Sequence, residues 1–290
     1  MICRLCPRRC GAERTDTAGA GVCGMPALPV LARAALHPWE EPPISGTRGS
    51  GTVFFSGCAL GCVFCQNEGI SHGNFGRTVS AARLREIFQE LTAQGAHNIN
   101  LVNPTHFAHA ILAALREPPE VPVVWNSGGY DSVETLGGLE GKVQVYLPDL
   151  KYLDAAGAAR YSGAEDYPEI AAAAIREMVR QTGPYVLEEG LLKRGVLIRH
   201  LILPGRVREA KAVMDWAAES FPPHTVLFSL MSQYVPLGRA AAFPEINRRV
   251  RPSEIRAAET YFAATGLDGF TQELLSATEG FIPNFDLTGV

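Results

Sequence analysis

The 290-residue chain has no cysteine in its last 225 positions; all seven fall within the first 65 residues. That distribution argues against a framework of structural disulfides and for metal or redox chemistry confined to the N-terminal quarter. Also missing is any run approaching the ~20 apolar residues that a membrane helix needs. Met1-Ile2-Cys3-Arg4 leads into cysteines and prolines without the apolar stretch of a secretory signal, so a cytoplasmic protein is expected. Charge of one sign is scarce too. The formal net charge is -4, which gives no reason to expect a nucleic-acid partner. Finally, no GxGxxG follows the first apolar run, which speaks against an open dinucleotide-binding sheet.

What is present is 47% apolar residues, enough for a sizeable core. Residues 1–47 are rich in Cys, Gly, Pro and Arg and show no sustained period. They read as a small Cys-rich metal-binding module with a stiff linker at Glu41-Pro42-Pro43-Ile44-Ser45-Gly46, since so short a segment buries too little to fold unaided. Residues 48–290 form the second domain. There, short apolar runs alternate with helical periodicity. Strands are expected over 52–56, 99–102, 121–125, 143–147, 196–203 and 225–230. Helices are expected over 80–94, 107–115, 168–181, 207–220 and 252–265, with a short one near 131–136. Six strands, most followed by helices, imply parallel pairing with crossovers. The expected fold class is α/β, a partial (β/α)6 TIM-type barrel closing only partway.

Two cysteine groups stand out. Cys3, Cys6, Cys10 and Cys23 supply four ligands in one small segment, with glycines after Cys10 and Cys23 suited to tight knuckles. Zinc and an auxiliary 4Fe–4S cluster both suit four thiolates, and the charge left over would be offset by Arg4, Arg8, Arg9 and Arg14. The second group, Cys58-x3-Cys62-x2-Cys65, follows the first expected strand of the second domain. Three closely spaced thiolates can grip three corners of a 4Fe–4S cluster, and the missing fourth leaves one iron open to a chelating cofactor. The competing reading is a structural zinc site completed by His72.

This loop resembles the signature of the radical S-adenosylmethionine (SAM) superfamily. The longer run from Leu36-His37-Pro38-Trp39-Glu40-Glu41-Pro42-Pro43-Ile44-Ser45-Gly46 to Cys65-Gln66-Asn67 is similar to the branch resembling pyruvate formate-lyase-activating enzymes, and the likeness extends over nearly the whole chain. The resemblance implies a 4Fe–4S cluster on Cys58, Cys62 and Cys65, which are also the catalytic residues. It implies reductive cleavage of SAM to a 5′-deoxyadenosyl radical, and hydrogen abstraction from a substrate. That substrate is a protein glycine, as in a glycyl-radical enzyme, or else a small molecule or peptide. A flavodoxin- or ferredoxin-like electron donor is implied. A non-catalytic iron–sulfur scaffold or electron carrier is the rival from another class.

Barrel enzymes gather their chemistry at the C-terminal ends of strands. Reading each apolar run to its end gives Asn103 and Thr105, Asn126 and Ser127, Asp149 and Lys151, then Arg199. The Asp149-x-Lys151 pair resembles a motif that organises the cofactor's polar end; a surface ion pair is the plain alternative. Asn103-Pro104-Thr105 stands where many relatives carry a Gly-Gly-Glu motif, so Asn103 and Thr105 are its substitutes. Phe64 would contribute backbone contacts to adenine. Strand alternation puts Arg199 with Leu197 and Leu201, and His200 with Ile198 and Ile202; Arg199 is expected to face the interior, where its charge could meet a carboxylate, and His200 is either a satisfied core histidine or a ligand. His106 and His109 are expected on an exposed helix face.

Overall fold

The computed structural model describes residues 1–271 and 283–290. The first strand, β1 (Val30–His37), lies within the range 1–47 assigned above to module and linker, yet it runs antiparallel to β2 (Ser50–Phe55) in the large sheet. Its Ala32, Ala34 and Ala35 dilute the apolar alternation that would have marked it. Between them sits the short helix α1 (Pro42–Ser45), with proline at its start, where a missing N–H costs nothing. The edge beyond β1 is taken by β3 (Arg77–Thr78), which follows the one-turn helix α2 (Glu68–Ser71).

Helix α3 (Ala81–Ala93) forms where expected. Ser80 accepts the backbone N–H of Arg83, and Leu84, Ile87, Phe88 and Leu91, spaced three and four apart, are buried together. Each such side chain contributes about 1.5–3 kcal/mol on burial. The chain then alternates through β4 (Ile99–Val102), α4 (Ala108–Ala114), β5 (Val123–Ser127), α5 (Val133–Gly137) and β6 (Val145–Pro148). Two consecutive helices, α6 (Ala155–Ser162) and α7 (Tyr167–Thr182), precede the hairpin of β7 (Val186–Glu188) and the long β8 (Leu191–Leu201). Helix α8 (Val207–Ser220), β9 (Leu227–Met231), α9 (Pro252–Thr265) and β10 (Gly269–Thr271) complete the described elements.

Along the ten-stranded sheet the order is β10-β9-β8-β6-β5-β4-β2-β1-β3, with β7 on β8. From β2 to β10 neighbouring strands on this path pair in parallel and in chain order. All their C-terminal ends therefore point the same way, and register sets them side by side. Val102 pairs with Asn126, Asp149 bridges Arg199, and Arg199 pairs with Ser229. One face of the sheet packs on the helices through Trp125, Tyr146, Ile198 and Phe228, all fully buried. The other face carries a smaller apolar cluster, Val124, Val145, Leu147, Leu197 and Leu227, closed off by Ile44 from α1 and Leu192. The segment 283–290 lies along β1, where Ala34 N–H donates to Thr288 O at 2.8 Å and Phe285 meets Phe54 edge-on. Among the described residues no helix is long and apolar enough to cross a membrane.

Candidate active site

A cavity of about 740 Å³ opens where the parallel strands end. One wall is the loop after β2, and Cys58, Cys62 and Cys65 all line it. The loop enters through Gly57, whose φ of 78° is open to glycine and whose Cβ position is filled by Met25 and the Cys23 carbonyl, so the first cysteine segment presses directly on the second. Each sulfur has a polar neighbour. Leu60 N–H donates to Cys58 Sγ at 3.3 Å, Cys62 Sγ meets Ser162 Oγ at 3.0 Å, and Cys65 Sγ meets Ser71 Oγ at 3.2 Å. Burial, reinforced by Cys62 and Cys65, pushes the Cys58 thiol up to about 12, and burial and Cys62 raise Cys65. Cys58 and Cys65 so placed resist ionisation, and a bound cation would reverse that preference. His72 is engaged otherwise than as a fourth ligand: Nε2 lies 3.3 Å from Leu60 O and Nδ1 3.4 Å from Ser71 Oγ, bracing the loop. Among the described residues no group of three or more His, Cys, Asp or Glu side chains is arranged, as it stands, to hold a metal ion.

Opposite the loop, the strand ends assemble a chain of charges. Asp149 Oδ2 accepts from Lys151 Nζ at 2.6 Å and Oδ1 from Arg199 Nε at 2.9 Å, while Arg199 Nη2 donates to Asn126 Oδ1 at 2.7 Å. Burial works against the Asp149 charge, but Arg199 and Lys151 overcome it and hold the carboxyl below its usual range. The pair with Lys151 lies within the cavity wall, with side chains 20% and 17% exposed, and is not the solvated surface pair considered from sequence. Tyr167 fixes the backbone behind it, accepting Lys151 N–H at 2.9 Å and lying 2.7 Å from Asp149 O.

Phe64, Asn103, Asn126, Ser127, Asp149, Lys151 and Arg199 all line this cavity. Asn103 adopts a left-handed backbone (φ 59°), which asparagine tolerates, and its side chain holds Gly57 O and lies 3.5 Å from Cys58 Sγ. Thr105 is placed elsewhere. It is buried in a 3-10 turn and donates to Asp131 Oδ1 at 2.6 Å. Asp131 is a buried hub that also takes the Ser127 hydroxyl and, at 3.2 Å, the Trp125 indole N–H, so the Ser127 proton is already committed. The expectation for His106 is corrected. It is buried, bonded to Ser56 O at 2.7 Å, and pushed down to about 4 by burial, because the N-terminal segment covers this end of α4. His200 is a satisfied core residue, Nδ1 on Leu150 O at 2.7 Å. Sequence reasoning did not single out Glu40 and Glu41 as site residues, although both line the cavity. Two adjacent acids before Pro-Pro were the available signal.

In the N-terminal segment, Cys6, Cys3, Cys10 and Cys23 lie close enough to act on one another electrostatically. Burial pushes the Cys6 thiol up to about 11, and the other three add to it. Arg14, itself buried, donates to Cys3 Sγ at 3.4 Å and to His106 O at 2.7 Å. The side chains of Arg8 and Arg9 bond elsewhere than to sulfur, while the Arg8 backbone N–H favours the Cys6 thiolate. Arg8 reaches Ala59 O (2.9 Å) in the cavity loop and Gly163 O (2.6 Å), and Arg9 pairs with Glu134 at 3.8 Å.

No family model matches the chain. It is 30% identical to the uncharacterized protein MJ0674 of Methanocaldococcus jannaschii over 266 residues, covering 88% of this chain and 72% of that one. Among solved structures it superimposes on Streptococcus suis SuiB bound to S-adenosylmethionine with a TM-score of 0.55 at 13% identity, over 76% of this chain. A radical SAM methyltransferase from Sphaerobacter thermophilus gives 0.52 at 17% identity, over 80% of this chain and 70% of that one. The chain belongs to one family with MJ0674, and its fold is that of the SAM-bound SuiB and of the radical SAM methyltransferase. It spans about half the length of SuiB. The mixed α/β architecture with a large sheet is the fold shared with these solved structures. The likeness to SuiB includes a form bound to its precursor peptide SuiA, with a TM-score of 0.54.

Proposed function

We propose that this protein is a radical enzyme in which Cys58, Cys62 and Cys65 hold a 4Fe–4S cluster and the cavity beside them holds SAM. One observation carries the reading: three cysteines, with no fourth among them, share a cavity wall with a buried array of strand-end charges. When bound, cluster and cofactor supply one-electron cleavage of the S–C5′ bond and, from it, a species that removes hydrogen from a substrate. The chain's own residues bind and orient. Arg199 and Lys151 are held by Asp149 at the mouth, where they meet a carboxylate, and Asn126 is fixed by Arg199 to offer its remaining donors. Asn103 ties the β4 end to the loop at Gly57, and Phe64 packs edge-on against Tyr234, excluding water from that side. The backbone and hydroxyl groups beside the sulfurs stabilise them as thiolates.

The sequential parallel strands support a partial (β/α)6 barrel as the frame. The substrate class we favour is a glycyl residue of a protein, as in activating enzymes, with a small molecule or peptide as the alternative. A flavodoxin- or ferredoxin-like donor and a reducing, cytoplasmic setting suit this chemistry. Cys3, Cys6, Cys10 and Cys23 make a second metal site, zinc or 4Fe–4S, on the module 1–47. The test is anaerobic reconstitution with iron and sulfide, then dithionite and SAM. Formation of 5′-deoxyadenosine and methionine is expected; an intact, reducible cluster that yields neither would make the protein a scaffold or carrier.

A further inference from the structure

Of the four arginines near the first cysteines, Arg14 alone is fully buried, at 1% exposure; Arg4 and Arg9 are exposed and Arg8 is half-buried. Among the described residues its guanidinium meets no carboxylate. Nε donates to Pro26 O at 3.0 Å, and Nη2 donates to the same oxygen. Nη1 donates to His106 O at 2.7 Å and to Cys3 Sγ at 3.4 Å, and Cζ lies 5.3 Å from the centre of the Phe107 ring. The carbonyls solvate the cation but are neutral. A guanidinium taken out of water costs free energy unless an anion lies beside it. Among these neighbours the sulfurs can carry that charge: Cys3 is in direct contact, and the Arg14 charge reaches Cys23 as well. Four thiolates on a divalent metal, or on a 4Fe–4S cluster, keep net negative charge, so such a centre fits this orphan cation where four neutral thiols or disulfides do not. The same guanidinium leads to the cavity loop. His106, whose carbonyl it holds, has ring Nε2 on Ser56 O at 2.7 Å, and Ser56-Gly57-Cys58 opens that loop. The ring's Nδ1 has no hydrogen-bond partner, so Ser56 O is what anchors it. Cys23 O stands against Gly57 from the same segment.

We propose that Arg14 is the internal counter-ion of an anionic metal–thiolate centre on Cys3, Cys6, Cys10 and Cys23, and the positioning residue through which that centre fixes the start of the cavity loop. The inference rests on reading the first cysteines as a metal site. It adds the sign of that site's charge and a task for it: loading the first group orders the approach to the second.

The test uses the full chain with Cys58, Cys62 and Cys65 replaced by Ala, so that added Co²⁺ reports on the first group. Co²⁺ is titrated against a chelator and read by its thiolate charge-transfer absorption, with no turnover involved. Arg14→Gln, which keeps an N–H donor but not the charge, is expected to weaken Co²⁺ binding about tenfold, as loss of a charged hydrogen bond does. Arg14→Lys, which restores the charge, should recover part of that loss. Hydrogen exchange over 53–57 and 104–109 should slow when Co²⁺ binds, and the slowing should shrink in Arg14→Gln. Co²⁺ affinity in Arg14→Gln within about twofold of the parent, or parent exchange that ignores Co²⁺, overturns the proposal. Should Arg14→Gln fail to fold by its thermal transition, the native mass of the parent decides. Cobalt bound with one proton lost for every cysteine is the anionic centre; cobalt bound with only as many protons lost as cancel its own charge is a neutral one, and equally fatal. Absence of Co²⁺ binding removes the metal site and this inference with it, whereas binding indifferent to the residue at position 14 removes the counter-ion alone.

Discussion

The two cysteine groups of this protein solve opposite problems. Cys3, Cys6, Cys10 and Cys23 lie in a segment of turns and isolated bridges, where Cys3 and Cys6 are buried, Cys10 is exposed, and Cys6 feels the charge of the other three. Cys58, Cys62 and Cys65 sit on a loop hung from the end of a fully buried strand and face a cavity instead of a fourth thiol. On the proposed reading, a closed set of four would satisfy a metal and shape a segment with little core, whereas an open set of three would need a rigid frame, because its remaining valence must meet a ligand from a fixed direction. The two are in contact through Gly57 against Cys23 O and through Arg8 on Ala59 O.

The comparison breaks most decisively at the cysteines themselves. Cys58→Ala, Cys62→Ala or Cys65→Ala is expected to abolish 5′-deoxyadenosine formation while metal analysis still finds the metal of the first group; Cys6→Ala should do the reverse to metal content. Persistence of cofactor cleavage in the triple Cys58/Cys62/Cys65 variant would sink the assignment. Next in size is Asp149→Asn. It leaves Arg199 and Lys151 without their shared carboxylate, and about 3–5 kcal/mol should be lost in denaturant unfolding, as when one partner of a buried pair is removed. The pH dependence has a definite sign. The folded Asp149 carboxyl lies below its unfolded value, so its contribution is present above roughly pH 4 and fades as pH falls through the folded pKa. Asp149→Asn should therefore flatten that limb of an acid-unfolding curve.

A smaller effect is expected for Arg8→Ala, about 1.5–3 kcal/mol for hydrogen bonds from a charged group. Hydrogen exchange over 58–65 should rise and iron per chain at the second group should fall, with Arg8→Lys restoring part of both. No change in either measurement would mean that the two cysteine groups are mechanically independent. Smallest is Thr105→Val. Loss of its bond to Asp131 should cost about 1 kcal/mol of stability and leave SAM affinity near wild type, whereas Asn103→Ala should weaken SAM binding. Equal effects on binding would return Thr105 to the cofactor site.

Much of this was legible because its signals are local. The spacing of Cys58, Cys62 and Cys65 is a property of ten residues, and the apolar face of α3 needs only its own period. Parallel strands make strand ends converge, so Asn126, Asp149 and Arg199 could be named as neighbours from linear order alone. Illegible features depended on partners distant in sequence. Strand β1 lacks a clean alternation of large apolar residues, and its place is fixed by backbone pairing with β2 and with residues 287–288. His106 reads as an exposed helix residue in the sequence, but its carbonyl is held by Arg14 and its ring by Ser56 O. Thr105 and Asn103 are two positions apart, but the turn after β4 sends one to Asp131 and the other to the loop.

By itself, the sequence determined the donor atoms: which thiols exist, how closely they can approach along the chain, and which polar groups end each apolar run. Covalent spacing and side-chain period are enough for that. Tertiary structure alone decided which of those groups share a cavity and that Asp149 takes both Lys151 and Arg199. Compensation of buried charge depends on every partner brought within a few ångströms, and Arg199 comes to Asp149 and Asn126 from 50 and 73 residues away.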